Sequence, residues 1–401
     1  MKKIAKLSLV AAIAVAGFTS ANAQSLEEAI KGVETSGSVV YRYNDYNNNN
    51  IDQAKSSDTN NNYKVAINLA SKVNDDVKLN TRFLVAGADG GFATMNTQTE
   101  GDSNVNVTLS NVYFGYTGIQ NTTVNVGKQG LTTPWTVALD SDSNEQTGTG
   151  ILALTTVGPV TFAGAYFNET NLGTSGDVVT TLNTLTGTAG KTGSNDIATV
   201  GAIAAVGPVT LDAWYLDMND TFDSYTIGAK SALDLSDIKV GIDARWASLD
   251  IDNNDNKQEM AKLVLTADAG LVDAKLAYAM TGNEGGATAL DNDAVTTLLG
   301  WNLFLNNKVD ADYVQAVLGF DILSNLNLSA NYGNLQYIDA VNSTTDVEEE
   351  EIYAQLLYKM SKNLTTYVRY GTYTKETSAV GVATVDNNDD TRGRLQVEYT
   401  F

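Results

Sequence analysis

The end of the chain alternates strictly between apolar and polar side chains. Leu395, Val397 and Tyr399 lie on one face of an extended segment, and polar residues separate them. A period of two residues predicts a β-strand with an apolar face and a wet face. The same alternation recurs upstream, for example over residues 63–69 and 77–85. The pattern therefore predicts a series of amphipathic strands.

Alternating segments separated by turn residues predict 18 strands. The sequence Val-Gly-Pro-Val-Thr stands at 157–161 and again at 206–210, which predicts a repeated hairpin unless a favoured turn recurs by chance. Residues 294–305 are apolar enough for a further strand, but we place them in a loop; 16 or 20 strands are the alternatives. The predicted strands are 36–44, 62–71, 77–86, 105–116, 122–129, 150–157, 160–168, 196–206, 209–218, 222–232, 238–248, 259–268, 271–281, 313–323, 326–336, 350–360, 364–375 and 391–401.

The connections are short at one end of the strands and long and polar at the other. This asymmetry is typical of outer-membrane barrels, in which only alternate residues face lipid and no continuous apolar run is needed. We therefore predict an all-β, transmembrane antiparallel β-barrel with long extracellular loops and short periplasmic turns. An acidic, soluble secreted β protein is the alternative. The predicted long loops are 44–61, 87–104, 130–149, 168–195, 282–312, 337–349 and 376–390.

The beginning of the chain carries the features of a secretory signal peptide over residues 1–23. A positive start with three lysines precedes the apolar stretch 7–18, and Ala-Asn-Ala at 21–23 is a small-residue cleavage site. Cleavage would leave one barrel domain, 24–401, and would change the formal charge from −22 to about −25. Residues 25–33 could form one or two helical turns, with Ser25 as the cap.

Neither histidine nor cysteine occurs in the sequence. Their absence excludes Ser-His and Cys-His catalysis and removes the commonest metal ligand. We therefore expect no enzyme, and we expect no nucleic-acid partner. Segments beginning at Asp140 and Asp250 start like calcium loops, but both lack the glycine and glutamate of an EF-hand. Solvated acidic loops are the simpler interpretation, with a structural Ca²⁺ ion as a further option and no other cofactor expected.

A barrel of 18 strands is too wide for side chains to fill, so it predicts an aqueous channel. The third long connection, 130–150, is the candidate constriction, because Asp140, Asp142 and Glu145 could oppose basic side chains on the wall. The alternative is that it projects into solvent. All six arginines lie on the polar faces of predicted strands. The candidate basic wall residues are Arg42, Lys78, Arg82, Lys239, Arg245, Arg369, Arg392 and Arg394.

Five stretches carry a resemblance to a known family. They are 26–31, Ser36-Gly37, Tyr41-Arg42-Tyr43, Gly127-Lys128-Gln129 and the Phe401 end. With the leader, they make the chain resemble the major outer membrane protein family of Campylobacter and its relatives. The resemblance implies an 18-stranded general porin that is trimeric and cation-preferring, with a constriction from the third loop and a bound calcium whose ligands are not matched.

The sequence thus predicts a general diffusion porin for ions and small hydrophilic solutes, lodged in the outer membrane of a Gram-negative bacterium. Outer-membrane lipid, a homotrimer partner and the barrel-insertion machinery, which would recognise the Phe401 end, are the expected partners. An excess of about 25 negative charges favours cations if enough of it lies near the pore. The alternatives are a substrate-specific channel and a non-conducting structural or adhesin barrel.

Overall fold

The structure is a computed structural model. It describes residues 32–49, 56–87, 90–94, 106–186, 195–252, 255–340, 343–379 and 384–401. The predicted signal peptide, and the predicted helical turns apart from their last two residues, lie outside the described residues. Within the described residues, no helix is long and apolar enough to cross a membrane.

One antiparallel sheet closes on itself through the pairing of the first strand with the last, from Ser38 opposite Thr400 to Asn47 opposite Thr391. Eighteen long strands form this wall, while the two-residue β4 pairs with β2 from within a loop. The elements are β1 (Glu34–Asn48), β2 (Ser56–Lys72), β3 (Val77–Ala86), β4 (Ala93–Thr94), β5 (Asn106–Tyr116), β6 (Thr122–Gly130), β7 (Thr147–Val157), β8 (Val160–Thr170), α1 (Gly176–Thr186), β9 (Ile197–Val206), β10 (Val209–Met218), β11 (Phe222–Leu235), β12 (Ile238–Ile251), β13 (Lys257–Asp268), β14 (Val272–Thr281), β15 (Val309–Leu323), β16 (Leu326–Ile338), β17 (Thr345–Lys359), β18 (Leu364–Ala379) and β19 (Val385–Thr400).

The 18-strand prediction is confirmed, and the bounds of β3 and β10 are those predicted. Residues 294–305 form no wall strand; they lie in a loop and contain one isolated bridge, Leu299 to Phe304. The repeated Gly-Pro motif makes two equivalent hairpin turns. Gly158 and Gly207 both adopt φ 59°, a left-handed conformation that glycine takes without strain.

Most predicted loops are too long, and the excess is largest where strands run into 44–61, 337–349 and 376–390. The ladders continue there between polar residues, as in the pairs Asn47–Ser57 and Asp346–Ser378. The alternation of apolar and polar residues is seen only in the part of a strand whose outer face is apolar. Beyond that part, backbone hydrogen bonds extend the strand, and the side chains show no period of two.

Helix α1 was not predicted; it lies in the connection between β8 and β9. Its buried residues Val178, Leu182 and Leu185 are spaced by four and three positions. This helical spacing is the sequence signal that could have found α1. A run of threonine residues in the same segment, unfavourable for helices, obscured it.

The two faces of the wall differ as the alternation requires. Large apolar side chains are exposed on the outer face, among them Phe114, Ile227 and Tyr370. The inner face carries the polar side chains and also supports two apolar clusters, in which loop residues pack against wall residues. The two larger hydrophobic clusters therefore lie where loops enter the barrel.

Candidate channel site

Three long connections meet inside the barrel: loop 3 (131–146), the first part of loop 4 (171–186) and loop 7 (282–308). Trp135 of loop 3 is fully buried, and its indole N–H donates to Ser224 Oγ on β11 at 2.7 Å. Loop 3 leaves the wall at β6, so a contact with β11 requires it to cross the interior. Loop 7 joins it there, because the Leu290 amide donates to the Trp135 carbonyl oxygen at 2.8 Å.

Glu145 anchors the end of loop 3 to the wall. Its carboxylate accepts hydrogen bonds from Lys64 Nζ at 2.9 Å, from Arg82 Nη2 at 2.7 Å and from the Ser110 hydroxyl. An irregularity in the β3–β5 register beside Ser110 turns that hydroxyl inward. Burial opposes ionisation of Glu145, but Arg82 and Lys64 outweigh it and hold the pKa of Glu145 below its usual value. Glu145 is therefore a buried anchor.

Asp142 is placed differently from Glu145. Its side chain is 63% exposed, and it lines the central cavity. Arg42 Nη1 donates to Asp142 Oδ1 at 2.9 Å, and Arg394 Nη1 lies 3.8 Å from the same oxygen. This carboxylate is the acidic group of loop 3 that meets both water and the basic wall.

Asp140 is buried and shapes the loop itself, accepting hydrogen bonds from the Asn144 amide at 2.7 Å and from Asn144 Nδ2 at 2.8 Å. Burial raises the pKa of Asp140 to about 6. Asp291 of loop 7 is fully buried and accepts hydrogen bonds from Gln146 Nε2 and from the Asp293 amide. Burial, together with the charges of Asp140 and Asp177, raises the pKa of Asp291 to about 8. Carboxyl groups thus join the inner loops to one another.

The space left between these loops and the wall is a cavity of 680 Å³. Acidic, basic and aromatic side chains all line it. Its charged and aromatic lining comprises Asp142, Asp177, Asp293, Glu351, Lys262, Lys275, Arg369, Arg392, Arg394, Tyr46, Trp301, Phe304, Tyr332, Tyr353 and Tyr367. An aqueous space with loop carboxylates and wall cations can hold hydrated ions and small polar solutes.

The basic side of the cavity contains a like-charged pair. Arg369 on β18 lies directly opposite Arg394 on β19, an arrangement that is unfavourable between adjacent strands. Aromatic rings offset part of the repulsion: the Arg369 guanidinium lies 5.1 Å from the Trp301 ring centre, and that of Arg394 lies 5.9 Å away. Arg369 Nη2 also donates to Gln355 Oε1 at 2.7 Å.

The predicted wall residues divide into two groups. Arg42, Arg82, Arg369, Arg392 and Arg394 gather around loops 3 and 7, as their contacts with Asp142, Glu145, Trp301 and Asn302 record. The other three lie away from these loops. Arg245 pairs with Asp212 at 2.7 Å, Lys78 lies 3.5 Å from Glu34, and Lys239 stands beside the turn after β11.

The predicted site did not include most of the lining residues, among them Lys262, Lys275, Trp301 and Glu351. The two lysines lie on inward faces of β13 and β14, so the alternation that selected the arginines could have found them. Trp301 lies in the apolar segment 294–305, whose period is neither two nor 3.6, and its position follows only from the tertiary structure.

In the part of the chain that the structure describes, the implied calcium ion has no ready-made site. Among the described residues, no three acidic side chains are grouped as metal ligands. The loop carboxylates instead accept hydrogen bonds from protein donors: the Ser141 amide donates to Asp293 Oδ2 at 2.9 Å, and Asn292 Nδ2 donates to Asp177 Oδ2 at 2.9 Å. A structural calcium ion therefore stays a prediction without assigned ligands.

A closed barrel with an apolar outer face and a charged interior cavity between inward-folded loops has the architecture of an outer-membrane porin. The sequence model of the Campylobacter major outer membrane protein family matches residues 1–401, so the chain belongs to that family. It is a protein of the Gram-negative outer membrane. Comparison with curated protein sequences finds no match.

Solved structures support the fold. A BenF-like porin from Pseudomonas fluorescens Pf-5 is 14% identical, with a TM-score of 0.70 over 92% of this chain and 99% of that one. OccAB3 from Acinetobacter baumannii is 13% identical, with a TM-score of 0.71 over 92% and 99%. OpdK from Pseudomonas aeruginosa, solved with vanillate, is 14% identical, with a TM-score of 0.69 over 92% and 98%.

Proposed function

We propose that this protein is a passive, general diffusion porin for ions and small hydrophilic solutes, and not an enzyme. The observation that carries the proposal is the 680 Å³ polar cavity inside the barrel, lined by charged groups of both signs. Such a lining stabilises hydrated solutes without enclosing any one of them. The proposal commits to conduction down a gradient, with loops 3 and 7 narrowing the path.

We further propose that the channel prefers cations. The chain has a formal charge of −22, and Asp142 places an exposed carboxylate in the cavity. Three basic side chains of the wall beside loop 3 are compensated by its carboxylates: Arg42 binds Asp142, and Arg82 and Lys64 bind Glu145. An acidic potential at the mouth and along loop 3 raises the local concentration of cations.

Recording from single channels in planar bilayers tests both statements. A KCl gradient should give a reversal potential of the sign that cation preference requires, and Asp142→Asn should move that potential toward zero. Asp75→Asn is the matched control, because Asp75 pairs with Lys72 in an exposed turn outside the cavity. Absence of conductance would favour the structural or adhesin alternative, and an unchanged potential in Asp142→Asn would remove loop 3 from the explanation.

A substrate-specific channel is the second candidate. The Arg369–Arg394 pair favours it, because two guanidinium groups lie opposite each other on adjacent strands and both line the cavity. A solute with a carboxylate could bridge them by paired hydrogen bonds. OpdK, solved with a carboxylate of this kind, gives the candidate a precedent. Saturable block of ion current by vanillate, lost in Arg369→Gln, would support specificity; current insensitive to vanillate would leave the general porin.

The remaining proposals concern assembly. We propose a homotrimer, which family membership supports. We also propose that the barrel-insertion machinery recognises the Phe401 end. Phe401 stacks on Tyr399 with ring centres 5.9 Å apart, and its amide and carbonyl both pair with Gly37, so the end of the chain completes the closure. Cross-linking in native membranes tests the trimer, and the insertion rate of a Phe401→Ala variant tests the signal.

A further inference from the structure

The tip of loop 7, residues 298–305, forms a narrow hairpin beside the basic wall. The Leu305 amide donates to the Leu298 carbonyl at 3.0 Å, and the Gly300 amide donates to the Leu303 carbonyl at 2.8 Å. Leu299 and Phe304 pair as an isolated bridge between them. The tip is therefore a defined structure and not an irregular excursion.

The base of this tip is fixed by apolar packing. Leu298, Leu303 and Leu305 are buried in a cluster that includes Tyr313 and Leu335 of the wall. The carbonyl of Leu299 also accepts a hydrogen bond from Gln315 Nε2 at 2.8 Å. Packing against β15 and β16 thus holds the arms of the hairpin but leaves the turn at 300–302 to be fixed by other contacts.

Glu351 supplies those contacts. Its buried carboxylate accepts a hydrogen bond from the Trp301 amide at 2.9 Å and another from the Asn302 amide at 2.7 Å. Arg392 of β19 also contacts the turn, since its Nη1 donates to Asn302 Oδ1 at 3.1 Å. A Cβ atom on Gly300 would overlap Glu351 Oε1, so the turn lies directly on the carboxylate. Two consecutive amides bound to one charged group fix the direction of the turn.

With the turn so oriented, Trp301 lies on the cavity surface. Its ring is 5.1 Å from the Arg369 guanidinium, 5.9 Å from that of Arg394 and 5.2 Å edge-to-face from Tyr353. The indole N–H makes no hydrogen bond in this arrangement. The position of the ring therefore depends on its contacts with Arg369, Arg394 and Tyr353 and on the backbone of its own turn. If the turn moves, the side chain is free to rotate.

We propose that Glu351 is a positioning residue that holds Trp301 beside the water path, and that Trp301 sets the upper size limit for solutes. The inference rests on the proposed channel function and adds to it a residue that determines the limit. Removal of the indole widens the path directly. Removal of the Glu351 charge frees the turn, so that the indole no longer occupies a fixed place.

Three variants test the proposal in planar bilayers and in swelling of vesicles with graded sugars. Trp301→Ala should raise single-channel conductance roughly 1.5- to 2-fold and admit larger sugars, because the narrowest section limits the current. Glu351→Gln should raise the mean conductance less and add current noise, because the ring becomes mobile. Glu348→Gln is the matched control: Glu348 lies on the same strand and pairs with Asn334 at 2.7 Å, neither residue lines the cavity, and the variant should change nothing.

Equal conductance and equal sugar cut-off in Trp301→Ala and in the unaltered protein would overturn the proposal. A wider Trp301→Ala channel together with an unchanged Glu351→Gln channel would overturn the role of Glu351. If Glu351→Gln does not fold, as judged by heat-modified gel mobility, Glu351→Asp replaces it, since the shorter carboxylate must also displace the turn. A silent unaltered protein would instead refute the channel function, which is a separate outcome.

Discussion

Glu145 offers the sharpest test of how loop 3 is held inside the barrel. Its carboxylate compensates two cations, Lys64 and Arg82, whose side chains are 4% and 18% exposed. Glu145→Gln keeps the shape and removes the charge, which leaves two positive groups together in a poorly solvated place. Breaking a buried ion pair by removing one partner costs about 3–5 kcal/mol. We expect Glu145→Gln to destabilise the protein by that amount.

The partner variant Lys64→Met should cost less. Arg82 still compensates Glu145 there, so the loss is that of one charged hydrogen bond, about 1.5–3 kcal/mol. In the double variant only Arg82 is left without its partner, so the combined loss should be smaller than the sum of the single losses. The specific prediction is that Glu145→Gln loses more stability than Lys64→Met, because one carboxylate compensates two cations.

Urea unfolding in lipid vesicles, followed by tryptophan fluorescence, measures these differences. The chain has four tryptophans, and Trp135 reports on loop 3 directly. Equal losses in Glu145→Gln and Lys64→Met, or a double variant as unstable as the sum, would show that the carboxylate does not compensate both cations. The reasoning from burial and distance would then be wrong.

Three further predictions follow from other parts of the structure. Because the pKa of Asp291 is raised to about 8, its carboxyl group stabilises the folded protein fully below the pKa of the unfolded chain, and this stabilisation is lost as the pH rises through 8. The urea midpoint of unfolding should therefore fall between pH 6 and 9, and it should fall less in Asp291→Asn. Because the pKa of Glu145 is lowered, its carboxylate stabilises the folded protein above the pKa of the unfolded chain, and this stabilisation is lost as the pH falls through the pKa of Glu145 in the folded protein. The stability of Glu145→Gln should therefore depend less on acid, as the urea midpoint measured at decreasing pH would show. Val126→Arg, on the exposed outer face, should cost about 2–4 kcal/mol in vesicle folding, whereas Asn125→Arg, the inward neighbour, should cost far less; similar losses would contradict the assignment of the two faces.

The wall could be predicted from the sequence because lipid and water act on every second residue of each strand. Val77–Ala86 and Val209–Met218 illustrate this, since their ends coincide with the ends of the alternating pattern. Where the outer face no longer needs apolar residues, as in Asn44 to Asn48, the pattern disappears although the strand continues. The prediction therefore failed at the extracellular ends and succeeded across the apolar band.

The interior could be predicted only in part. Alternation placed Arg42, Arg369 and Arg394 inside the barrel, but it contained no information on which loop would meet them. Loop 7 packs inside the barrel through apolar residues that follow no regular period. The sequence therefore predicted only a loop at its tip and assigned Trp301 no part in the channel. Contacts between distant parts of the chain decide such positions, and a single sequence does not record them.

The three acidic residues of loop 3 show why composition alone does not identify a constriction. All three were predicted to face the pore, yet Asp140 accepts hydrogen bonds from Asn144 within its own turn, and Glu145 is bound to wall cations and buried. Only Asp142 combines exposure with a basic partner. A carboxylate affects passing ions when water still solvates it, because a buried and compensated charge has little field left to exert. Selectivity should therefore respond strongly to Asp142→Asn and weakly to Asp140→Asn, and equal responses would show that charge count, and not exposure, governs the field in this channel.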